Sequence, residues 1–525
     1  MSRILFLLLF FTASGVCLLH RNEAYAPVGF AVLMQYAVTY GVSSLLFSIS
    51  ATSELFRKLI VAVLSLAAFA EAIIAILQLT GTIFPANSYF LCTGTFSNPG
   101  PLGGFLAVSA IVTAGYTVRA RNGRLCAYLP TAAAVMMLPA TMSRAAVLAL
   151  FSGTALYLSY CKRLILFLKR VYARHKNHVT VAAAVLAFAF IASAVFMYNL
   201  KKESAYGRIF MSGITLKAIN EAPLAGHGPG KAVAAYGNAQ FRFFTGNATE
   251  NRYQLCADCP EYVFNTFLST GVEYGVPAML LLIAAIAYSI AGAMRIRPEL
   301  GAGLMALSVF AVFSYPHELP VFRILMSVLA AGDTAVCHCS KLLLRRYIAV
   351  AAVLVTGLLV FLFITVPVHR AESEWKKAEV YYQQERYATA ITEYEPLFSR
   401  MRHNYRYLFQ YGHALLKTEA YALADSILRM GADYSCDPMF WNLIGQAEQT
   451  AGHYAEAEKC YLRAFYSVPN RIYPLYLLAR LYQAAGDTAN LAELRRRIRY
   501  FKPKIESETT ERFRREIDSL EIVAY

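Results

Sequence analysis

The stretch KLIVAVLSLAAFAEAIIAILQLT, residues 58–80, is the clearest of several long apolar segments in this chain. Its length suits a helix that crosses a bilayer, which takes about twenty mostly apolar residues. Comparable segments recur along the chain. The candidate spans are 3–20, 28–50, 58–80, 101–118, 125–142, 145–161, 179–198, 264–292, 300–315, 320–339 and 347–367. This pattern predicts an all-α protein that opens with a polytopic helical bundle of about eleven spans, residues 1–367.

Composition divides the chain into a membrane part and a soluble part. Of the 525 residues, 57% are hydrophobic and only 16% are charged, whereas soluble proteins average about 25% charged residues. Residues 368–525 have the composition of a soluble domain. The apolar segment 3–20 follows a basic residue as a signal peptide would, but it lacks a small-residue cleavage site, so we expect it to be a retained span.

The net charge of +16 indicates membrane topology rather than nucleic-acid binding. Basic patches can bind phosphate backbones, yet much of the excess here lies in short loops between predicted spans. These loops contain Arg57 and Lys58; Arg119, Arg121 and Arg124; Arg295 and Arg297; and Lys341, Arg345 and Arg346. Loops 81–100 and 315–320 contain no Lys or Arg. The positive-inside rule then predicts cytoplasmic basic loops, with 81–100, 199–262 and the C-terminal domain on the outer side.

The soluble part repeats itself at intervals of 34 and 33 residues. Each copy places an alanine three residues after a tyrosine: Tyr387 and Ala390, Tyr421 and Ala424, Tyr454 and Ala457. The period and these small and aromatic positions resemble tetratricopeptide repeats, which are stacked pairs of helices. We therefore expect an α-solenoid over 368–503, with a groove for a protein or peptide partner within 371–503, and a charged capping helix at 504–525.

Two polar motifs lie at the outer ends of predicted spans. In GTFSNPGPLGGFLA, residues 94–107, Asn98 and the following proline and glycines suit a turn with a helix cap, or a close approach of the backbone to a ligand. In TMSRAAVLAL, residues 141–150, Arg144 interrupts an apolar run. An arginine there either extends to the lipid headgroups or binds a phosphate, whose oxygens a guanidinium grips through two parallel hydrogen bonds.

The longest polar segment contains YGRIFMSGITLKAINEAPLAGHGPG, residues 206–230. Its apolar residues suit a helix that lies along the membrane surface. We expect this helix to turn Arg208 and Lys217 towards a polar cavity, and the Gly- and Pro-rich end to reverse the chain.

The chain then returns to the membrane through EYVFNTFLSTGVEYGVPAML, residues 261–280, which carries Asn265 and Glu273. Arg144 and Glu273 both stand in apolar surroundings, where a charged side chain needs a partner. Together the polar motifs predict a site at the outer face for an anionic substrate that is carried on a lipid.

Cys256 and Cys259, in the sequence CADC, lie in the same outer segment. Such a pair can bind zinc, but the sequence offers no second pair of ligands nearby. On the oxidising side of a membrane a local disulfide is the better expectation. We expect neither a metal nor a cofactor at the site.

The order of these motifs resembles that of the O-antigen ligase family, which includes O-antigen polymerases and protein O-oligosaccharyltransferases. The matching pieces are FSNPGPLGGFLA, TMSRAA, GRIFMSGITLKAINEAPLAGHGPGKAVAAYGNAQ and FNTFLSTGVEYGVPAML, within residues 90–290. The resemblance implies an inverting, metal-independent glycosyltransferase of the GT-C type in a bacterial inner membrane. It implies transfer of a glycan from an undecaprenyl-diphosphate carrier to an acceptor hydroxyl, on lipid A-core or a similar molecule, at the periplasmic face.

The resemblance also implies roles for individual residues. The arginines Arg144 and Arg208 would hold the diphosphate leaving group. The expected catalytic residues are Arg144, Arg208, Asn265 and Glu261, and the expected substrate-binding residues are Asn98, Lys217 and Glu273.

One position departs from the family pattern. Many members have a histidine just before the asparagine of the last motif, where this chain has Phe264. Glu261, Glu250 or His227 could serve as the base instead, although the Gly-rich turn around His227 favours a structural role. The alternatives are that a weak base suffices or that the acceptor differs.

Four functions remain open on the sequence. Three are glycan transfers: ligation to a lipid acceptor, polymerisation onto another carrier-linked repeat, and transfer to Ser or Thr of a protein presented by the repeats. The fourth is a non-catalytic scaffold for envelope assembly. A transporter is disfavoured because the membrane part shows no internal duplication and no pair of broken helices.

Overall fold

The computed structural model describes residues 2–20, 24–120, 128–160, 170, 172–177, 180–181, 202–246, 251–336 and 341–519. Over these residues the chain folds as α-helices joined by turns and a few short 3-10 helices. The predicted all-helical class is confirmed for this part of the chain.

The helices before residue 341 come mainly from the predicted membrane part. They are α1 (Ser2–Leu19), α2 (Ala26–Ser48), α3 (Ser50–Leu79), α4 (Pro99–Ala120), α5 (Leu129–Thr141), α6 (Arg144–Tyr160), α7 (Lys202–Glu221), α8 (Ala232–Gly246), α9 (Asn251–Gln254), α10 (Thr266–Ile296), α11 (Pro298–Val312) and α12 (Pro320–Ala330).

The later helices begin with a long one that links the two parts of the chain. They are α13 (Lys341–Gln383), α14 (Tyr387–Tyr394), α15 (Phe398–Met401), α16 (Tyr405–Lys417), α17 (Tyr421–Ala432), α18 (Met439–Thr450), α19 (Tyr454–Ser467), α20 (Tyr473–Ala485), α21 (Thr488–Arg499) and α22 (Glu508–Asp518).

Five helices among the described residues are long and apolar enough to cross a membrane. They are Ala26–Ser48, Thr52–Leu79, Pro99–Ala120, Thr266–Ile296 and Val350–Gln383. The helices α1, α5 and α11 are apolar but shorter. The span predicted at 179–198 lies, apart from 180 and 181, outside the described residues. A multi-span membrane protein is therefore supported, while the total of about eleven spans stays a prediction.

No loop separates the last predicted span from the soluble part. The sequence predicted that the membrane domain ends at residue 367, but α13 continues without a break to Gln383. In its last part Ala371, Trp375 and Ala378 are buried against the following helices. Their spacing of three to four residues puts them on one face of the helix, so α13 connects the two parts as one continuous helix.

The helices α4 and α11 form the centre of the bundle. The residues of α4 are mostly apolar on all faces of the helix and are buried along most of its length. This is expected for a helix inside a bundle. The two helices approach closely at Gly104, where a Cβ atom would lie 2.5 Å from two ring carbons of Phe310. This glycine of the 94–107 motif therefore serves helix packing rather than contact with a ligand.

We expect Gly104→Ala to destabilise the protein, because the added methyl group forces the Phe310 ring out of its place. Overpacking of this kind costs about 1–3 kcal/mol. Thermal unfolding in detergent would show a lower midpoint than for the wild type. Gly15→Ala is the matched control, since nothing lies within 4 Å of a Cβ there. Equal midpoints for the two variants would contradict the tight packing.

A buried ion-pair cluster lies at one end of the bundle, where α3, α4 and α11 meet. Arg57 Nε lies 2.7 Å from Glu299 Oε1, and Arg119 Nη1 lies 3.9 Å from Glu299 Oε2. The adjacent Arg297 donates to two backbone carbonyl groups, at 2.9 and 2.8 Å. Basic residues from three loops that were predicted to share the cytoplasmic side therefore do lie together.

The C-terminal helices stack in sequence, each packing against the next from α16 to α21. The repeated alanines Ala390, Ala424 and Ala457 are completely buried between helices, which agrees with the packing role inferred from the period. The last helix, α22, packs on α20 and α21 through Phe513 and Ile517. The assignment of this part to tetratricopeptide repeats stays a prediction.

Candidate active site

A cavity of about 270 Å³ lies at the end of α4 opposite to Arg119. Its walls are formed by Asn98, Met211 of α7, Tyr315, and residues of the segment 258–264. Ligand pockets typically measure about 300–1,000 Å³, so the cavity has room for a small group such as one sugar. The fold thus brings together polar motifs that lie far apart in the sequence.

Arg208 is held beside this cavity by a carbonyl group and an aromatic ring. Its Nη1 donates to the backbone carbonyl of Phe313 at 2.6 Å. Its guanidinium lies over the ring of Phe264, 4.8 Å from the ring centroid, and Phe264 packs edge-on against Tyr315. A cation over an aromatic face is stabilised by the negative face of the ring. Phe264 therefore orients Arg208.

Arg144 begins α6 after a tight turn. Met142 adopts the left-handed conformation with φ of 47°, and Ser143 Oγ accepts a backbone N–H from the first turn of α6 at 3.3 Å. The turn packs closely on α4, because a Cβ atom on Gly103 would lie 2.8 Å from Thr141 Oγ1. The N-terminus of a helix favours anions through its free N–H groups and its dipole. The charge of Arg144 adds to that preference.

The two arginines repel each other. Burial and the positive charge of Arg144 both lower the pKa of Arg208 below its ordinary value. Among the described side chains, no carboxylate lies within ion-pair distance of either guanidinium. A bound anion would relieve the repulsion and would accept hydrogen bonds from both guanidinium groups. The pair is therefore suited to a phosphate group.

Asn98 caps α4 and also lines the cavity. Its Oδ1 accepts the N–H of Gly100 at 2.9 Å, so the predicted cap is confirmed. The preceding loop 93–95 is held by two polar side chains of α3, Gln78 and Glu71, which bond to its backbone at 2.8–2.9 Å. The few polar residues in the otherwise apolar stretch 58–80 thereby fix the position of Asn98. Substrate binding by Asn98 stays a prediction.

Two carboxylates line the cavity, Asp258 and Glu261. Lys504 Nζ lies 3.1 Å from Asp258 Oδ2, and Arg406 forms an ion pair with Glu261. Both cations come from the C-terminal part of the chain. That part therefore contacts and steadies the acidic wall of the cavity.

Asn265 caps α10, and the residue after it binds a histidine. Asn265 Oδ1 accepts two backbone N–H groups of the first turn, each at 3.0 Å. Thr266 Oγ1 lies 3.0 Å from His317 Nδ1, and His317 Nε2 lies 3.1 Å from Glu318 Oε1. A histidine thus reaches the neighbourhood of Phe264 from a different loop. The sequence did not predict a role for His317, because only the folded chain brings it to Thr266.

The helix α7 is partly buried, and Lys217 does not line the cavity. Phe210 and Ile214 are buried in a cluster with α8 and α10, whereas Ile209 is exposed. Lys217 is exposed, and its Nζ lies 4.7 Å from the ring centroid of Phe243. The structure therefore brings Arg208 to the cavity and places Lys217 elsewhere on the helix.

Glu273 and His227 stabilise the loop that follows α7. Gly275 breaks α10 with φ of 83°, and three backbone hydrogen bonds of 2.7–3.1 Å join the loop 223–228 to α10 around this kink. The Glu273 carboxylate faces backbone N–H groups at the start of α8. The imidazole Nε2 of His227 lies 2.8 Å from the carbonyl of Ala218. Neither side chain lines the cavity, and Glu250 lies outside the described residues.

Residues 129–283 match the family model for O-antigen ligase. The match runs from α5 into the kinked helix α10 and includes both arginines and the acidic wall of the cavity. The resemblance to O-antigen ligases that the order of the motifs indicated is therefore confirmed for residues 129–283. This match supports glycan transfer at a membrane. No curated protein matches the chain.

Proposed function

We propose that this chain transfers a glycan from an undecaprenyl-diphosphate carrier to an acceptor hydroxyl, on lipid A-core or a similar molecule, at the periplasmic face of a bacterial inner membrane. The observation that supports this most directly is the pair of interacting cations Arg144 and Arg208, of which Arg208 lies over Phe264 in the cavity wall. Neither has an acidic partner among the described side chains. Repulsion between two partly buried cations opposes folding. A scaffold has no use for such a pair, whereas a diphosphate supplies the missing negative charge.

The two arginines are suited to the departure of a diphosphate. When the bond between the sugar C1 and the diphosphate breaks, negative charge builds up on the leaving oxygen. Donors that are already oriented towards that charge lower the barrier most. Arg208 meets this condition because Phe264 and the Phe313 carbonyl hold its guanidinium in place. The acceptor oxygen attacks C1 from the opposite side, which inverts the configuration.

Glu261 is our candidate for the group that accepts the proton of the acceptor hydroxyl. It is exposed and lines the cavity, so a bound hydroxyl could reach its carboxylate. Its carboxylate forms an ion pair with Arg406. His317 is hydrogen-bonded to Thr266 and paired with Glu318, so it would position the start of α10 rather than touch the substrate.

We expect Glu261→Gln to lower the rate of transfer about 10²-fold or more, which is the usual contribution of a positioned general base. The amide has nearly the same shape, so folding should be unaffected. The rate would be measured with purified protein, a lipid-diphosphate donor and a hydroxyl acceptor. Glu221→Gln is the matched control, because Glu221 also pairs with an arginine but does not line the cavity. A rate unchanged by Glu261→Gln would exclude Glu261 as the base.

The function itself is tested by glycan profiles of cells that lack the chain. Each strain would be complemented with wild type, Arg144→Lys or Arg208→Ala, and long glycans would be measured on envelope lipids and on proteins. Loss from the lipid fraction, restored only by wild type, is the expected result. Short, unextended chains would indicate a polymerase instead. Full rescue by both variants would refute catalysis and leave a scaffold.

One observation favours a protein acceptor as a second candidate function. The C-terminal part contacts the acidic wall of the cavity through Arg406 and Lys504. A polypeptide bound to the repeats would therefore be close to Glu261. Loss of glycan from proteins rather than lipids in the same profiles would move the acceptor to Ser or Thr.

A further inference from the structure

Two cysteines from distant parts of the chain meet beside the cavity. Cys259 lies in the acidic wall, and Cys436 lies between α17 and α18. Cys436 Sγ lies 3.6 Å from the carbonyl oxygen of Pro260, the residue after Cys259, and the two thiols are close enough to shift each other's pKa. The sequence predicted a local partner for Cys259, namely Cys256. In the structure no disulfide joins any of these three cysteines, and Cys259 faces Cys436.

We propose that Cys259 and Cys436 form a disulfide that joins the wall of the cavity to the C-terminal helical domain. A disulfide requires the two Cα atoms to lie within about 7 Å of each other, and the contact of Cys436 Sγ with the residue next to Cys259 is compatible with that limit. The proposal rests on the proposed function in one respect, the placement of both cysteines on the oxidising side of the membrane.

The surroundings make Cys259 the more reactive of the two thiols. Arg471 Nη2 lies 3.0 Å from Cys259 Sγ. The hydrogen bond from Cys436 and the positive charge of Arg471 lower the pKa of the Cys259 thiol, whereas the pKa of Cys436 is raised by the same hydrogen bond and by burial. Because the thiolate is the nucleophile, Cys259 reacts first.

The oxidant is an external disulfide, such as that of a thiol oxidoreductase or of oxidised glutathione. The Cys259 thiolate attacks one of its sulfurs, which forms a mixed disulfide and releases one thiolate. Cys436 then loses its proton to water and attacks the sulfur of Cys259, which releases the second thiolate. Two protein thiols are oxidised, and one external disulfide is reduced to two thiols.

Contacts of the neighbouring segments hold the two cysteines next to each other. Asn470 Nδ2 donates to the carbonyl groups of Gln254 and Ala257, each at 2.8 Å. On the other side, a Cβ atom on Gly237 of α8 would lie 2.5 Å from Cys436 Cβ. The neighbouring segments therefore already touch, and the bond needs no large movement of the backbone.

The disulfide would restrain the part of the cavity wall that contains Glu261, the proposed base. Cys259 lies two residues before Glu261, and both line the cavity. A covalent link at Cys259 would hold this wall against the C-terminal domain even when the ion pair between Arg406 and Glu261 opens. We therefore expect the oxidised protein to unfold at a higher temperature than the reduced protein.

The test is a disulfide map of the purified full-length protein in detergent after incubation with oxidised glutathione. Free thiols would be blocked, the protein digested without reductant, and linked peptides identified by mass spectrometry. A peptide that joins Cys259 to Cys436 is the expected result. It should persist in Cys256→Ser and be absent from Cys259→Ser and Cys436→Ser, where the remaining thiol becomes blocked.

A peptide that joins Cys256 to Cys259, or free thiols at Cys259 and Cys436 at every glutathione ratio, would overturn the proposal. The result for the wild type suffices even if a serine variant misfolds. The readout is a pair of peptides rather than glycan transfer. Failure of the transferase assay would therefore refute the proposed function and leave this result unaffected.

Discussion

Replacing Arg208 with alanine is expected to lower glycan transfer about 10²- to 10³-fold, which is typical when one donor to a developing negative charge is removed. The side chain is oriented in advance by the Phe264 ring and by the Phe313 carbonyl. Most of the loss should therefore appear in kcat, because the interaction strengthens as charge builds on the diphosphate that we propose as the leaving group. Initial rates with purified protein and a lipid-diphosphate donor would measure it.

Two further variants distinguish charge from geometry. Arg208→Lys keeps the positive charge but loses the planar pair of donors, so its rate should lie between those of wild type and Arg208→Ala. Arg242→Ala is the matched control, because Arg242 is exposed and pairs with Glu221 away from the cavity lining. Its rate should stay close to that of the wild type. Similar losses in Arg208→Ala and Arg242→Ala would contradict a specific role for Arg208.

Removing the carboxylate of Glu299 should have the largest effect on stability. Glu299 is completely buried, and Arg57 beside it is nearly so. Glu299→Ala would remove the buried partner of Arg57, which would keep its ion pair with the exposed Glu54. Breaking a buried pair in this way costs about 3–5 kcal/mol. We expect a much lower unfolding midpoint in detergent and reduced yield of folded protein.

A double variant distinguishes two causes of the expected loss of stability: the lost buried partner of Arg57 and the side-chain volume lost at Glu299. Replacing both members with apolar residues, as in Arg57→Met with Glu299→Leu, removes the buried charges together. The double variant should therefore unfold at a higher temperature than Glu299→Ala, although it carries more changes. If it unfolds at a lower temperature, the cluster does not act as a buried ion pair.

The sequence predicted the helices and the two ends of the bundle, because both depend on local patterns. Apolar length locates a span, and charged loops show which ends share a side. Arg57, Arg119 and Arg297 do lie at one end. The order of motifs also placed Arg144 and Arg208 in one domain, and the structure brings the two charges close together.

What the sequence did not predict depends on which faces of different helices meet. His317 reaches Thr266, and Cys436 reaches Cys259, only because of tertiary packing. The position of Lys217 is a different case, because the geometry of α7 alone determines it. Residues nine positions apart, each turned by about 100°, lie on opposite sides of an α-helix. Arg208 and Lys217 could not both face one cavity from a regular α7.

The hydrogen bonds around the kink at Gly275 make the folding of residues 223–228 depend on the order of synthesis. Residues 223–228 leave the ribosome before α10, yet their backbone groups bond to α10 on both sides of the kink. Until α10 has been inserted into the membrane, those groups have only water as a partner. The loop that anchors α7 therefore closes late. A nascent chain that ends before α10 would contain both arginines but could not yet bring them to a finished site.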